Sequence, residues 1–187
     1  MKKLLLTLII LTTWSNYGYT WYCTYDQNES GWYDGTSMVC YDISVEVALA
    51  GASHITIVNR SIERGEELTK LLQDKLPCYA DFAPWESTYS IPEETDVVIN
   101  ATSIGLFPDV DARLDFDLNS LTSEMVVADV IPNPPATNLV RDAREKGCKV
   151  IDGLGMLVNQ GVIGIKHWTG IDPDPSVMRA ALEEVFG

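Results

Sequence analysis

Basic residues are scarce in this chain. Lys and Arg number 13 against 27 Asp and Glu, a formal charge of -14, and none lies between Leu4 and Asn59. Binding to nucleic acid or to anionic lipid needs a clustered basic surface. The basic residues here are scattered, which excludes both as expected partners. The four cysteines form no CxxC pair and no Cys/His spacing of the zinc-binding kind, so no metal site is expected. The apolar run from Leu4 to Leu11 falls well short of the roughly 20 residues of a membrane-spanning helix, so no stable span is expected. Internal repeats and low-complexity tracts are also absent.

That apolar run follows Lys2 and Lys3, and a basic start before a short apolar stretch is the shape of a secretory signal. The small-residue cleavage pattern that should follow is missing, because Trp14, Asn16 and tyrosines stand in its place. Export and retention in the cytoplasm both remain open. In an exported chain Cys23 and Cys40 can pair, whereas Cys78 and Cys148, at apolar strand positions, read as buried thiols. Asp26, Asn28, Ser30 and Gly31 begin like a calcium loop. Ser37 stands where the chelating Glu should be and no flanking helices are evident, so calcium is not expected.

Composition shifts near residue 44. Six of the eight tyrosines and three of the five tryptophans precede it. At 187 residues the chain suits one domain with a real core plus an appendage. The expected division is a signal-like leader with an unplaced aromatic, cysteine-containing segment over 1–44, and a folded domain over 45–187. After residue 44, strand-like runs alternate with amphipathic stretches, which argues for an α/β fold with a mostly parallel sheet covered by helices. The expected strands are HITIVN from His54, a weaker one around Tyr79 to Phe82, DVVINA from Asp96, MVVADV from Met125 and KVID from Lys149. Ser61 and Thr137 are placed to cap helices, the second ending at Gly147, and Asp174-Pro175 supplies a cap with proline in the first turn. Gly153 to Trp168 reads as a mostly buried helix carrying several glycines.

The chemistry is expected where these strands end, since open α/β sheets bind ligands at their C-terminal edge. The strand from His54 closes on NRSIERG. A site for NAD would offer a carboxylate there to the ribose 2'-hydroxyl; this chain offers Arg60 and Arg64. Two guanidinium groups suit the 2'-phosphate of NADP, by charge-assisted hydrogen bonds. They also suit a solvated face paired with Glu63 or Glu67, and local sequence alone does not separate the two.

Taken in order, NRSxxR, NATSxG, D-x-x-x-N-P-x-x-T and GxxMLxxQ resemble the cofactor half of shikimate dehydrogenases, from about Val45 to the C-terminus. The resemblance implies a Rossmann-like three-layer αβα fold and NADP as cofactor. Asn59, Arg60, Ser61 and Arg64 would form a clamp on the adenosine 2'-phosphate, and Thr102 and Ser103 would line the cofactor trough. Val130 and Gly153 would border the nicotinamide, Met156 would pack on it, and Gln160 would hydrogen-bond the substrate hydroxyls. Core filling for Met156 and a water-facing role for Gln160 are the structural alternatives. The implied substrate is a shikimate-like small molecule. Where the family places a tyrosine that reaches the substrate, this chain reads Val130-Ile131-Pro132, which opens quinate or a related polyol acid as alternatives.

Two further departures set expectations. Counted back without gaps from Gly51, the family's glycine loop falls on Gly35 to Met38, where only Gly35 is kept, so the pyrophosphate grip is expected to be weak. The first strand of the sheet is likewise expected to be degraded, leaving a gap or an improvised filler. The substrate domain with its catalytic Lys and Asp precedes the cofactor domain in the family, and nothing in 1–44 matches it, so no catalytic residue is nominated. A homodimer, or a chain supplying the missing domain, is the partner that this would call for. A non-catalytic remnant and a secreted binding module remain the alternatives.

Overall fold

The computed structural model describes residues 5–9 and 35–186. Six parallel strands form one sheet in the order β3-β2-β1-β4-β5-β6. They are β1 (Leu5–Ile9), β2 (His54–Asn59), β3 (Tyr79–Pro84), β4 (Val97–Asn100), β5 (Val126–Asp129) and β6 (Lys149–Ile151). The helices are α1 (Gly35–Leu49), α2 (Ile62–Lys75), α3 (Asn138–Glu145), α4 (Gly153–Thr169) and α5 (Pro175–Phe186). This strand order, reversing between β1 and β4, is that of a doubly wound Rossmann-like sheet.

Alternation along the strands builds two cores. Ile55, Ile57 and Ile99 pack on one face with Cys40 and Ala48 of α1 and Leu72 of α2. Val58, Val98 and Val127 pack on the other with Leu139 and Ala143 of α3, and with Trp85, Ile91 and Phe116 from the long connections. The three-layer α/β expectation therefore holds, and Ser61 and Thr137 cap α2 and α3 as their sequence positions predict.

Three expectations are corrected. The sheet centre is not vacant: Leu5–Ile9 pairs with β2 on one side and β4 on the other. A central parallel strand is covered on both faces and so reads as an unbroken apolar run, the same signature as the core of a secretory signal. Gly35 to Met38 are not a loop but the start of α1. The calcium-like stretch before Gly35, the cleavage region and Cys23 also lie outside the described residues, while Cys40 is a free, buried thiol. Finally, α4 buries only Gly153, Leu154 and Val158; Ile163 is 68% and Trp168 81% exposed. Its later turns are apolar, but among the described residues only α5 lies against them to any extent.

Candidate functional site

Every strand of a parallel sheet ends at the same edge, so the segments after β2, β4, β5 and β6 are neighbours there. After β2, the Asn59 side chain is 2% exposed and its Oδ1 accepts a hydrogen bond from the Ser61 N–H at 2.9 Å. Ser61 in turn accepts from the Arg64 N–H at 3.5 Å, as N-cap of α2. The result is a helix N-terminus, where backbone N–H groups and the helix dipole favour an anion, flanked by exposed Arg60 and half-buried Arg64.

After β4 and β5 lies a buried polar network. Asn100 is fully buried, Thr102 4% exposed, Asp129 3% and Thr137 2%. Asp129 Oδ1 accepts from Asn100 Nδ2 at 3.1 Å and from the Ile131 N–H at 3.0 Å, while Oδ2 accepts from Thr137 Oγ1 at 2.6 Å. Asn100 Oδ1 accepts from the Thr102 N–H at 3.0 Å, and Thr102 Oγ1 from the Ile104 N–H at 3.0 Å. Burial pushes the Asp129 carboxyl above its usual range, and hydrogen bonds from Thr137, Ile131 and Asn100 pull it back.

After β6, Asp152 caps α4 by accepting from the Gly155 N–H at 2.9 Å. Arg179 of α5 grips the same carboxylate with both terminal nitrogens, at 3.2 and 2.8 Å. This pairing holds the Asp152 carboxyl below its usual range. Gly153 is where the backbones meet: a Cβ there would lie 2.3 Å from the Ile131 carbonyl oxygen and 2.7 Å from the Val130 carbonyl carbon. Only glycine fits without moving the β5 loop.

The anticipated residues thus fall on one edge of the sheet. Asn59, Arg60, Ser61 and Arg64 follow β2, Thr102 and Ser103 follow β4, Val130 follows β5, and Gly153 opens α4. Met156 is half-buried in the first turns of α4, and Gln160, one turn further, is exposed. Sequence reasoning assigned no role to Asn100, Asp129 or the Asp152–Arg179 pair, and gave Thr137 only its helix cap. The available signal was a polar residue ending an apolar strand: Asn100 after VVI and Asp129 after VVA.

Similarity to known proteins covers the same region. The model of the shikimate 5'-dehydrogenase C-terminal domain matches residues 153–183. The NADP(+) shikimate dehydrogenase of Methanococcus aeolicus is 35% identical over 138 residues, 74% of this chain and 49% of the relative. That of Methanocaldococcus jannaschii is 36% identical over 140 residues, 74% of this chain and 50% of the relative. Among solved structures, the ligand-free 5-ketofructose reductase of Gluconobacter sp. strain CHM43 superposes with a TM-score of 0.79 at 40% identity, over 98% of this chain and 57% of the other. A shikimate dehydrogenase in complex with NADP+ superposes at 0.71 with 26% identity, over 97% and 55%. The chain spans about half the length of the curated relatives it matches.

Proposed function

We propose, from the premise that the C-terminal part of the chain belongs to the shikimate dehydrogenase family, that its sheet edge is an NADP site serving hydride transfer at a hydroxyl-bearing carbon. The observation that carries the reading is the end of β2: a capped helix N-terminus with two arginines, where an NAD site would hold a carboxylate. Arg60, Ser61 and Arg64 hold the 2'-phosphate, with Asn59 bracing the turn. Thr102, Ser103 and Val130 wall the trough, and Met156 packs on the nicotinamide. NADP, when bound, accepts or supplies the hydride; Gln160 holds a substrate hydroxyl. Cytoplasmic location fits this reading, because cleavage of a leader near residue 20 would remove β1 from the sheet centre.

The substrate is a shikimate- or quinate-like polyol acid. A second reading, reduction of an uncharged keto-polyol, is favoured by two observations. One is the 40% identity to a 5-ketofructose reductase; the other is Pro132 in place of the substrate-reaching tyrosine. The base for the hydroxyl proton would come from a substrate-side domain.

Titration of the purified chain with NADP and NAD tests the cofactor assignment. NADP should bind at least roughly tenfold tighter, since a charge-assisted hydrogen bond is worth about 1.5 to 3 kcal/mol. Arg60→Ala should erase much of that margin. Equal affinity for both cofactors, or an unchanged preference in Arg60→Ala, removes the assignment.

A further inference from the structure

We infer that Asp129 is a positioning residue that fixes the loop bearing Thr102 and Ser103 and the loop bearing Val130 as one unit, so that the nicotinamide end of the cofactor meets a single arrangement. The inference rests on the NADP reading above and concerns residues to which that reading gives no role.

The donors on Asp129 come from three separate segments: Asn100 at the end of β4, Ile131 after β5 and Thr137 at the cap of α3. Each is a donor, so the carboxylate serves purely as an acceptor, and no salt bridge among the described residues involves it. Its charge instead faces the N-terminus of α3, whose cap Thr137 also accepts from the Val140 N–H at 3.2 Å. Asn100 relays the constraint. One end of its amide donates to Asp129 and the other accepts from the Thr102 N–H, while its backbone carbonyl accepts from the Val130 N–H at 3.1 Å. A second tie runs between the same loops, from the Phe107 N–H to the Asn133 carbonyl at 3.1 Å.

Cohesion alone does not call for this arrangement, because apolar residues of similar volume stabilise a buried site as well as a desolvated charge does, or better. What a carboxylate adds is direction: two oxygens fix the bearing of three donors, and through them two loops that sequence places about 30 residues apart. The loops so fixed carry Thr102 and Ser103, assigned to the wall of the cofactor trough, and Val130, assigned to the nicotinamide border, whereas Arg60 and Arg64 at the adenosine end stand outside the network.

That asymmetry supplies the test. Thr137→Val keeps the volume and removes the hydroxyl donor; Thr137→Ser restores it. Affinity for NADPH is read from nicotinamide fluorescence. Affinity for adenosine 2',5'-bisphosphate, which lacks the nicotinamide, is read by calorimetry. Both are measured well below the melting temperature of each variant. Thr137→Val should weaken NADPH binding roughly tenfold and leave the bisphosphate within about twofold, with Thr137→Ser recovering the loss. Asp129→Asn, which keeps the shape but swaps an acceptor oxygen for a donor, serves if Thr137→Val does not fold, and the same pattern is expected. Equal weakening of both ligands would mean general loosening and overturn the inference; so would no change in either. An unaltered chain that binds the bisphosphate but gains nothing from the nicotinamide half overturns it while sparing the adenosine clamp. An unaltered chain that binds neither ligand sinks the NADP reading as well.

Discussion

Alanine at Gly153 sets two opposing effects against each other at one backbone position. The new Cβ would lie 2.3 Å from the Ile131 oxygen and 2.4 Å from its carbonyl carbon. Relief needs a displacement of roughly 1 Å, since carbon contacts are comfortable near 3.5 Å. Both obstacles are backbone, so no side chain can swing away, and the cost falls toward the upper part of the roughly 1 to 3 kcal/mol typical of overpacking. Against it stands the helix propensity of alanine over glycine, about 1 kcal/mol in a helix interior and less at the first turn, where Gly153 sits. The clash wins, with a net loss of about 2 kcal/mol, which lowers the melting temperature by roughly 4 to 8 °C in a chain of this size. Gly164 is the internal control. There a Cβ would meet only the Trp168 ring, at 3.9 and 4.0 Å, so Gly164→Ala should gain up to about 1 kcal/mol. Circular dichroism melts of the two variants check both signs. A Gly153→Ala protein as stable as the unaltered chain, or a Gly164→Ala protein that falls as far, would refute the reasoning.

The Asp152–Arg179 pair predicts an acid limb in stability. Because Arg179 holds the Asp152 carboxyl below its unfolded value of about 3.9, the contribution is complete above that value and is lost as pH falls through the lower folded one. Urea unfolding of Arg179→Gln should therefore show a shallower decline as pH falls below the unfolded value of about 3.9; a decline as steep as in the unaltered protein excludes the pair as its source. In an assay of reduced nicotinamide absorbance, the chain alone should turn over shikimate or quinate far more slowly than a full-length relative, since a positioned base contributes roughly 100-fold to 10,000-fold. Comparable turnover that Gln160→Ala abolishes would place a complete catalytic apparatus in this chain.

How much of this was legible beforehand depended on range. Ser61 and Thr137 are caps because a short polar side chain reaches a backbone N–H three residues on, and that chemistry is written locally. The strands from His54, Asp96 and Met125 are equally local, as β-branched runs bounded by polar residues, and their order with the intervening helices dictates a parallel sheet.

Three features were not legible. Leu5–Ile9 is an apolar run whose meaning depends on what lies on either side of it. Flanked by β2 and β4 it is the middle of a sheet, and nothing in its five residues distinguishes that from a signal core. The later turns of α4 have a buried helix's composition, but burial belongs to the neighbours, and at Ile163 and Trp168 the described fold provides none. Asp129 gathers its donors from β4, its own loop and the cap of α3. The Asn100 amide is brought to it only because β4 and β5 lie side by side in register, Asn100 opposite Asp129. Short-range periodicity and capping determined the elements from β2 onward and their order. The convergence of groups far apart along the chain, and the solvent exposure of each face, were decided by tertiary packing, because both depend on which surfaces meet.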